Sequence, residues 1–174
     1  MRGPIPADLL PGSVTPAIDP REQLPLVLPS LAPPVFKTLV TGDYSVVGLE
    51  HVVAIERKSL DDLLACVGQE RERFGREVVR LLAYPVRCLV IESGWMALER
   101  GEWRSKVTPQ AAVGSVLGWI AAGLPVVMAY DHTRAGKYVA RILFTAARRR
   151  WREARELVAF VQGEQGEVTQ EQVA

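Results

Sequence analysis

The sequence predicts an α/β domain of three layers, in which helices cover both faces of a central mixed sheet. The first third of the chain carries short β-rich runs separated by turns, which is typical of antiparallel pairing. The remainder alternates apolar runs of the kind found in buried parallel strands with longer helical patterns. Strands followed by alternating strands and helices favour a mixed sheet packed between helices. The 174 residues suffice for one such domain with a substantial core.

Four β-rich runs make up the first part of the predicted sheet. They lie at residues 14–18, 35–40, 44–47 and 52–56. Valine, isoleucine and tyrosine, which favour strands, dominate these runs. The last three runs are separated only by short turns, one of them at Gly42-Asp43, so we expect an antiparallel meander. Four prolines between residues 23 and 34 predict an extended loop or broken helical turns.

Helical signals begin at Ser59, a good N-cap residue that has Asp62 at the third helical position. Leucines and a valine then recur at helical spacing until Gly68 ends this helix. Thr108-Pro109, a cap residue followed by proline, marks the start of a later helix. The later elements are a helix at 70–83, a strand at 86–92, a helix at 108–122, a strand at 125–130 and a basic helix, continuous or interrupted, at 133–161.

The composition indicates one domain with a less regular segment at each end. Prolines and glycines disfavour regular structure over residues 1–13, which predicts a flexible N-terminal arm. Residues 14–161 form the domain, and no internal repeat divides it. Glycine, glutamate, glutamine and threonine dominate residues 162–174, which predicts a disordered tail.

Charge and cysteine content narrow the class of protein. A net charge of +1 argues against a strongly cationic coat protein or a polybasic membrane-binding protein, but local basic patches keep nucleic acid open as a partner. Cys66 and Cys88 lie in apolar surroundings without metal-ligand spacing, so we interpret them as buried free thiols of a reducing compartment. Because signal-peptide and membrane-spanning patterns are missing, we expect a soluble cytoplasmic protein without a membrane partner.

An acid and a lysine stand two positions apart at the end of an apolar run. If this run is a strand, Glu56 and Lys58 project from one face and Arg57 from the other. Asp19 and Asp43 lie at the ends of two further predicted strands. Carboxylates gathered in this way repel one another unless a cation lies between them, and Mg²⁺ or Mn²⁺ takes such oxygen ligands.

These residues together indicate a metal-dependent phosphodiesterase. A metal ion would activate water and polarise a phosphoryl oxygen, while Lys58 would position the water or offset charge on the phosphate. Each residue also has a structural interpretation. Asp43 follows a glycine as in an ordinary turn, and Asp62 is the N3 acid of a capped helix. Arg21 and Arg57 are equally consistent with surface charges, so the conjunction favours catalysis more than any single residue does.

Several short motifs carry a resemblance to a known family. They are Asp19-Pro20-Arg21-Glu22, Gly42-Asp43, Glu56-Arg57-Lys58 with Asp62 four places after the lysine, and Arg73-Phe74. Together they resemble the active-site signature of the XPF/Hef structure-specific endonuclease family, over residues 14 to about 145. The resemblance implies the restriction-endonuclease-like fold of the PD-(D/E)xK superfamily, whose α/β/α core agrees with the predicted layers.

The resemblance implies that Asp19, Asp43 and Glu56 bind a Mg²⁺ or Mn²⁺ ion and that Lys58 is the catalytic lysine. These motif positions are intact, so we expect an active DNA endonuclease that hydrolyses phosphodiester bonds with metal-activated water. Its expected substrates are branched DNA, flap DNA or single-strand/duplex junctions, in DNA repair or recombination.

Five further positions are expected, from the resemblance, to support the chemistry or to contact DNA. Arg57 and Asp62 would complete the catalytic set, with Arg57 fixing the local sheet or contacting DNA. Glu22 would lie close to the metal. Arg21 and Arg73 would contact DNA, and Arg73 would approach the scissile backbone.

Family members commonly add a tandem helix-hairpin-helix domain or a helicase, and neither is recognisable in this sequence. The chain therefore resembles the compact nuclease domain found in bacteria and their phages. Two other functions stay open. One is a non-catalytic DNA-binding or scaffold subunit of a nuclease complex, and the other is an RNA nuclease, which would use the same chemistry.

Two further features indicate partners. A late basic cluster contains Arg148 and Arg149, which would contact a phosphate backbone, although a charge run late in a helix is usually a solvated face. Small residues such as Gly114 and Gly118 give the helix at 108–122 a face that would admit a close helix partner. Because relatives dimerise through the nuclease domain, the resemblance implies a homodimer, with ordinary packing on the sheet as the alternative.

Overall fold

A central sheet of six strands runs through residues 7–163, the part of the chain that this computed structural model describes. The strands are β1 (Pro16–Ile18), β2 (Val35–Phe36), β3 (Tyr44–Val46), β4 (Val53–Lys58), β5 (Val86–Ile91) and β6 (Val126–Met128). Their order across the sheet is β2-β1-β3-β4-β5-β6. Strand β3 is antiparallel to both of its neighbours, and the other neighbouring pairs are parallel. The sheet is therefore mixed, as predicted.

Helices cover both faces of this sheet. They are α1 (Leu60–Val67), α2 (Arg71–Leu82), α3 (Trp95–Arg100), α4 (Pro109–Ala121) and α5 (His132–Val161). Val139 and Leu143 of α5 pack with Ile55 in the core on one face. Buried residues of α1 to α4 pack with Ala54 in the core on the other face. The predicted α/β/α layers are confirmed.

Strand β4 lies in the middle of the sheet and carries buried side chains on both faces. Ala54 belongs to the core beneath α1 to α4, and Ile55 belongs to the core beneath α5. Because side chains alternate along a strand, Glu56 and Lys58 project toward α2 and Arg57 projects toward α5. The strand therefore presents different charged groups to the two helical layers, as its periodicity predicts.

The antiparallel meander predicted from the runs at 35–40, 44–47 and 52–56 is confirmed for the last two runs, since β3 and β4 are antiparallel neighbours, and it is wrong for the first. Strand β2 lies at the edge of the sheet, parallel to β1, and β3 lies between β1 and β4. The run predicted as a strand to residue 40 ends at Phe36. Beyond that point the backbone N–H of Leu39 donates to the carboxylate of Asp19 at 2.8 Å, so it is not available to a neighbouring strand. Val40 is 87 % exposed, which explains why an apolar run here does not extend the sheet.

Capping residues set the helix boundaries. Ser59 and Asp62 form the expected capping box at the start of α1, and the side chain of Thr108 caps α4. Helix α5 begins one residue earlier than predicted, because Asp131 caps it, and it continues without interruption. No sequence signal predicts the short helix α3, since Gly94 before it offers no side-chain cap.

The two end segments lie partly outside the described residues. Of the arm predicted at 1–13, the structure describes residues from 7 onward, where Pro11–Ser13 form a 3-10 turn and Asp8 makes an ion pair with Arg148 of α5. Of the tail predicted at 162–174, only 162 and 163 lie within the described residues. No helix in the described part of the chain is long and apolar enough to cross a membrane.

The two cysteines are buried and free, as predicted. Burial raises the pKa of the Cys66 thiol to about 11 and that of the Cys88 thiol to about 12. Both thiols therefore stay protonated at neutral pH, which makes them poor nucleophiles and metal ligands.

Candidate active site

A cleft opens at the carboxyl end of β4, between the loop that precedes β3 and helix α2. Its cavity has a volume of about 470 Å³. Charged side chains dominate the lining, which consists of Arg21, Val40, Gly42, Asp43, Glu56, Lys58, Arg73, Arg76, Glu77 and Arg80. A strand end, a turn and a helix thus bring residues from distant parts of the sequence to one cavity.

Glu56 and Lys58 lie side by side on the face of β4 that is turned toward α2. Glu56 is 3 % exposed and makes an ion pair with the ammonium group of Lys58. Phe74, in the first turn of α2, lies beside this pair, with its ring centroid 5.5 Å from the Lys58 Nζ. The alternation of the strand places the two charges on one face, and the packing of α2 encloses them.

Asp43 reaches the cleft through a turn that requires glycine. Gly42 has a φ of +78°, and a Cβ atom there would lie 2.9 Å from the carbonyl oxygen of Ile55. The backbone N–H of Asp43 donates to that same oxygen at 2.8 Å. The Asp43 Oδ2 in turn accepts a hydrogen bond from the backbone N–H of Arg57 at 2.7 Å. Asp43 is therefore a turn residue whose position also places it in the lining of the cleft.

Burial and crowding raise the pKa values of the two cleft carboxyls. For Glu56, burial followed by repulsion from Asp43 raises the pKa to about 8. For Asp43, burial raises the pKa to about 6 against the attraction of Lys58. Burial alone would lower the pKa of Lys58, but the carboxylates of Glu56 and Asp43 outweigh it and raise that pKa. Burial disfavours the charged form of both carboxyls, and a bound cation would compensate for that cost, so the site favours a cation.

Glu77 is a third carboxylate of the cleft, and it is not among the site residues predicted from the sequence. It lies on α2 and lines the cavity together with Asp43 and Glu56. Its charge contributes to the raised pKa of both residues. A signal for it exists in the sequence, since residues four apart share a helical face and Glu77 follows Arg73 by four positions.

Asp19 lies directly after β1, but its carboxylate does not line the cavity. Arg21 contacts both carboxylate oxygens, with Nε 2.7 Å from Oδ1 and Nη2 2.9 Å from Oδ2. The backbone N–H of Leu39 donates to Oδ2 at 2.8 Å. The hydrogen bonds from Arg21 hold the pKa of Asp19 at about 2, although burial opposes the shift. In this conformation Asp19 anchors the chain around Leu39.

The described residues therefore contain no group of three or more acidic, cysteine or histidine side chains arranged for a metal ion. Of the three predicted ligands, the structure brings Asp43 and Glu56 into the lining of one cavity. Asp19 is not part of that lining, although its backbone N–H donates to the carbonyl oxygen of Asp43 at 2.9 Å. Two carboxylates are nevertheless a donor set that fits Mg²⁺ or Mn²⁺, because Mg²⁺ is commonly held by one or two carboxylates together with water and substrate phosphates.

Arg57 lies on the opposite face of β4 from the cleft and is 8 % exposed. Its Nε lies 2.8 Å from Glu92 Oε1, and its Nη1 lies 3.4 Å from Glu22 Oε1. The Nδ1 of His132, the first residue of α5, is also 2.8 Å from Glu92 Oε1. Arg57 is therefore not a surface charge. It ties the ends of β4 and β5 to α5 and to the segment that follows β1.

Asp62 lines a second cavity of about 620 Å³ that adjoins the first. The side chains that line both cavities are Arg21, Asp43, Lys58 and Arg73. Asp62 also caps α1, where its Oδ2 accepts a hydrogen bond from the hydroxyl of Ser59 at 2.7 Å. Burial opposes the shift, but the hydrogen bonds from Ser59 hold the pKa of Asp62 below its usual value. Its capping role and its place at the cleft are therefore compatible.

The four arginines expected to contact DNA fall into two groups. Arg21 and Arg73 line both cavities at the carboxyl end of β4. Arg148 and Arg149 lie on α5, which packs on the other face of the sheet. There Arg148 makes an ion pair with Asp8, and the Nε of Arg149 lies 3.0 Å from an oxygen of Glu153. The structure brings only the first group to the cleft.

Comparisons with known proteins identify a family model and similar solved structures. The model of the ERCC4 domain matches residues 18–142. The solved structure of XPF from Aeropyrum pernix is similar, with a TM-score of 0.61 at 16 % identity over 86 % of this chain and 73 % of that chain. The structure of XPF from Aeropyrum pernix in complex with DNA also has a TM-score of 0.61 at 16 % identity, over 78 % of this chain and 66 % of that one. The comparison with curated proteins finds no match.

The structural likeness confirms the predicted restriction-endonuclease-like arrangement of the three layers. The family match is independent of that likeness and extends over well more than half of the chain. It contains the cleft residues Asp43, Glu56 and Lys58 together with the neighbouring Asp19 and Arg73. The resemblance seen in the sequence motifs is confirmed, and the chain belongs to the ERCC4 domain family with the fold of an XPF-type nuclease domain.

Proposed function

We propose that this protein is a DNA endonuclease that hydrolyses phosphodiester bonds and requires a divalent metal ion. One observation carries the proposal: the carboxyls of Asp43 and Glu56 and the ammonium group of Lys58 share a cleft lined by arginines. Membership of the ERCC4 domain family supports it, and so does the likeness to a structure of XPF in complex with DNA. Flap DNA, branched DNA and single-strand/duplex junctions are the proposed substrates, in DNA repair or recombination.

Asp43 and Glu56 are the proposed ligands of Mg²⁺ or Mn²⁺. The bound ion would supply a Lewis acid and an activated water for attack at phosphorus. Burial raises the pKa of both carboxyls, so a bound cation would stabilise their charged forms and favour the release of protons from the cleft. Asp19 stays a candidate ligand, but Arg21 contacts both of its oxygens, so its participation requires Arg21 to move.

Lys58 is the proposed catalytic lysine. Its ammonium group stays charged, because Glu56 and Asp43 raise its pKa. A charged group at this place would position the attacking water or stabilise the negative charge that develops on the phosphate. Arg57 would act as a positioning residue, since its backbone holds Asp43 and its side chain fixes the end of β4. Asp62 would support Lys58 from the adjoining cavity.

The proposal is tested with labelled single-stranded, duplex, flap and branched DNA of related sequence. The purified protein is incubated with each in Mg²⁺, in Mn²⁺ or with a chelator. We expect cleavage that requires metal and that Lys58→Ala abolishes. Lys137→Ala, which removes an exposed lysine of α5, is the matched control and is expected to cleave normally. Metal-independent cleavage, or none on any substrate, would contradict the proposal.

A non-catalytic DNA-binding or scaffold subunit is the second candidate function. The occupation of both Asp19 oxygens by Arg21 favours it, because a metal site that needs three acids is then incomplete. Such a subunit would bind the same DNA panel equally well with and without metal and would cleave none of it. The intact group of Asp43, Glu56 and Lys58 favours the enzyme.

We also propose that the protein forms a homodimer through α4. Leu117 is 51 % exposed, and Cβ atoms added at Gly114 and Gly118 would meet nothing within 4 Å. These positions share one helical face, which is therefore apolar and open to a close helix partner. Light scattering after size exclusion is expected to give a dimer that Leu117→Glu converts to a monomer. A monomeric wild-type protein would exclude this arrangement.

A further inference from the structure

One face of α2 carries a row of arginines into the cleft. Arg73, Arg76 and Arg80 are spaced by three and four residues, so they lie on the same side of the helix, and all three line the cavity. The helical pattern of the sequence predicts only that these arginines point away from the core. Arg71 on the same helix serves as a comparison, because it faces α4, where its Nη1 lies 3.5 Å from the hydroxyl of Ser115.

The row gives the cavity an excess of positive charge. Five cationic side chains and three carboxylates line it. Arg76 has no carboxylate within 4.0 Å among residues 7–163. Arg73 makes an exposed ion pair with Glu70, and Arg80 makes a loose, partly exposed pair of 3.6 Å with Glu77. Exposed pairs of this kind contribute only about 0–1 kcal/mol, so they yield readily to a ligand with more negative charge. The arginines are thus available to an anion.

The row also has an end that adjoins the catalytic residues. Phe74 lies beside Lys58, and Arg73 lines both cavities at the carboxyl end of β4. Arg80 lies seven residues further along α2, which corresponds to about 10 Å of helix. One strand of B-form DNA rises about 3.4 Å per nucleotide along its axis, and its successive phosphates are further apart than this rise, so the row is long enough to contact about two successive phosphates. Guanidinium groups bind phosphate oxygens in a bidentate manner without reading base sequence.

We infer that Arg76 and Arg80 extend a phosphate-binding track away from the catalytic residues, and that one DNA strand lies along α2 with its backbone on these arginines. The inference rests on the proposed function, since it takes DNA as the substrate. It adds that the strand leaves the cleft toward the carboxyl end of α2, and that binding there depends on charge and not on sequence. Removal of either arginine is expected to lower the binding affinity to a similar extent for every DNA sequence.

The test measures DNA binding by fluorescence anisotropy in EDTA, where no metal-dependent cleavage takes place. Wild-type protein, Arg76→Gln, Arg80→Gln and the double variant are titrated with labelled single-stranded and duplex DNA at several salt concentrations. Arg71→Gln is the matched control on the same helix. The slope of log affinity against log salt concentration is negative. Each lost phosphate contact makes it shallower by about 0.9 for duplex DNA and by about 0.7 for single-stranded DNA.

We expect the change in salt slope relative to wild type to be twice as large in the double variant as in either single variant. Arg71→Gln is expected to keep the wild-type slope. For one lost duplex contact, the affinity gap to wild type narrows by about threefold between about 50 and about 200 mM salt. Unchanged slopes in Arg76→Gln and Arg80→Gln overturn the track. An equal change in Arg71→Gln also overturns it, because the effect then reflects total charge and not position.

Two further outcomes separate this inference from the proposed function. If the variants show the expected slopes but the protein cleaves no substrate, the phosphate-binding track is supported and the proposed nuclease activity is overturned. Cleavage with unchanged slopes would keep the nuclease and overturn the track. An RNA oligonucleotide of matching sequence that binds more tightly than DNA, with the same loss of slope in the variants, would overturn DNA as the ligand.

Discussion

Asp43 and Arg57 are joined by a hydrogen bond of 2.7 Å, in which the backbone N–H of Arg57 donates to the Asp43 carboxylate. The side chain of Arg57 lies on the opposite face of β4 in a buried ion pair with Glu92. Arg57 therefore positions Asp43 through its backbone N–H, and it fixes the end of β4 through its side chain. A substitution of the Arg57 side chain removes the ion pair with Glu92 but keeps the backbone hydrogen bond to Asp43. The contribution of Arg57 to stability can therefore be tested separately from its contact with the cleft.

Asp43→Asn tests the charge of the cleft without removing the turn. An asparagine oxygen can still accept the hydrogen bond from Arg57, while the ligand charge is lost. We expect cleavage in Mg²⁺ to fall by a factor of about 100 or more. Stability to urea is expected to change by less than about 1 kcal/mol, because the repulsion with Glu56 is also removed. An active Asp43→Asn variant would rule out Asp43 as a metal ligand.

Arg57→Met tests the buried network behind the cleft. The change leaves the carboxylates of Glu92 and Glu22 without their cation. Loss of one partner of a buried ion pair typically costs about 3–5 kcal/mol, so we expect a loss of that order in urea unfolding. Arg149→Met removes an exposed arginine that pairs with Glu153, and this control is expected to cost less than about 1 kcal/mol. Equal losses in the two variants would show that the buried network does not stabilise β4.

Asp19→Asn tests the ion pair with Arg21 through its pH dependence. The pKa of Asp19 is lowered from 3.8 to about 2 in the folded protein, mainly by hydrogen bonds from Arg21. A lowered pKa stabilises the fold above the unfolded value and loses this effect as pH falls toward the folded value. Arg21 is largely exposed, which weakens the ion pair. We therefore expect it to contribute about 1–2 kcal/mol to the free energy of unfolding at neutral pH.

The measurement for Asp19→Asn is urea unfolding at steps from neutral pH to about pH 3. The stability gap between wild type and variant is expected to stay constant above the unfolded pKa of 3.8 and to shrink below it. Asp61→Asn, which changes an exposed acid at the start of α1, is expected to show a smaller gap at every pH. A gap for Asp19→Asn that grows toward acid pH would contradict the ion pair.

Gly42→Ala tests the turn that carries Asp43. The residue has a positive φ of 78°, and the added Cβ would lie 2.9 Å from a backbone oxygen of β4. We expect a loss of about 1–3 kcal/mol in urea unfolding, together with reduced cleavage because Asp43 shifts. Gly75→Ala lies inside α2 with open space around the new Cβ, and it is expected to stabilise the protein by about 0.5–1 kcal/mol. A neutral Gly42→Ala variant would show that the turn tolerates other conformations.

Metal binding is expected to release protons from the cleft. Burial raises the pKa of Asp43 to about 6 and that of Glu56 to about 8, so a metal ion that binds the charged carboxylates displaces protons from the cleft. The apparent affinity for Mn²⁺ should therefore increase between about pH 6 and about pH 8. Titration calorimetry in buffers of different ionisation enthalpy measures the released protons directly. An affinity that does not change with pH would contradict the raised pKa values.

Glu77→Gln provides the matched variant for this experiment. Glu77 contributes to the raised pKa of both Asp43 and Glu56, so its neutralisation lowers both values. We expect fewer protons to be released at neutral pH and a weaker pH dependence of Mn²⁺ affinity. Glu99→Gln, an exposed acid of α3 outside the cleft, should leave both unchanged. Identical proton release in wild type and Glu77→Gln would place Glu77 outside the electrostatics of the site.

Much of the site could be predicted because short-range rules determine it. Alternation along one strand places Glu56 and Lys58 on a common face, whatever packs against that face. The turn at Asp43 follows from a neighbouring glycine. The capping box of Ser59 and Asp62 involves only four consecutive residues. The family motifs themselves are short segments of this kind, which is why the resemblance is visible without the structure.

Other parts could not be predicted, because they depend on contacts between distant segments. The strand at 35–40 was expected beside the next run, but it pairs with β1 and ends at Phe36, and Leu39 beyond it binds Asp19, 20 residues away. Arg57 meets Glu92 across 35 residues, and no local pattern distinguishes that buried pair from a surface charge. The helical pattern predicts only that Arg76 points away from the core. It does not distinguish a residue that faces solvent from one that lines the cleft.

The sequence by itself determined the three layers, the mixed sheet and the shared face of Glu56 and Lys58, because periodicity and capping act within a few residues. Only the tertiary structure decided which carboxylates share the cleft. The packing of α2 on the sheet brings Glu77 to the same cavity as Glu56, whereas Arg21 holds Asp19 outside it. These outcomes depend on distances between side chains of separate elements, and such distances exist only once the elements have packed.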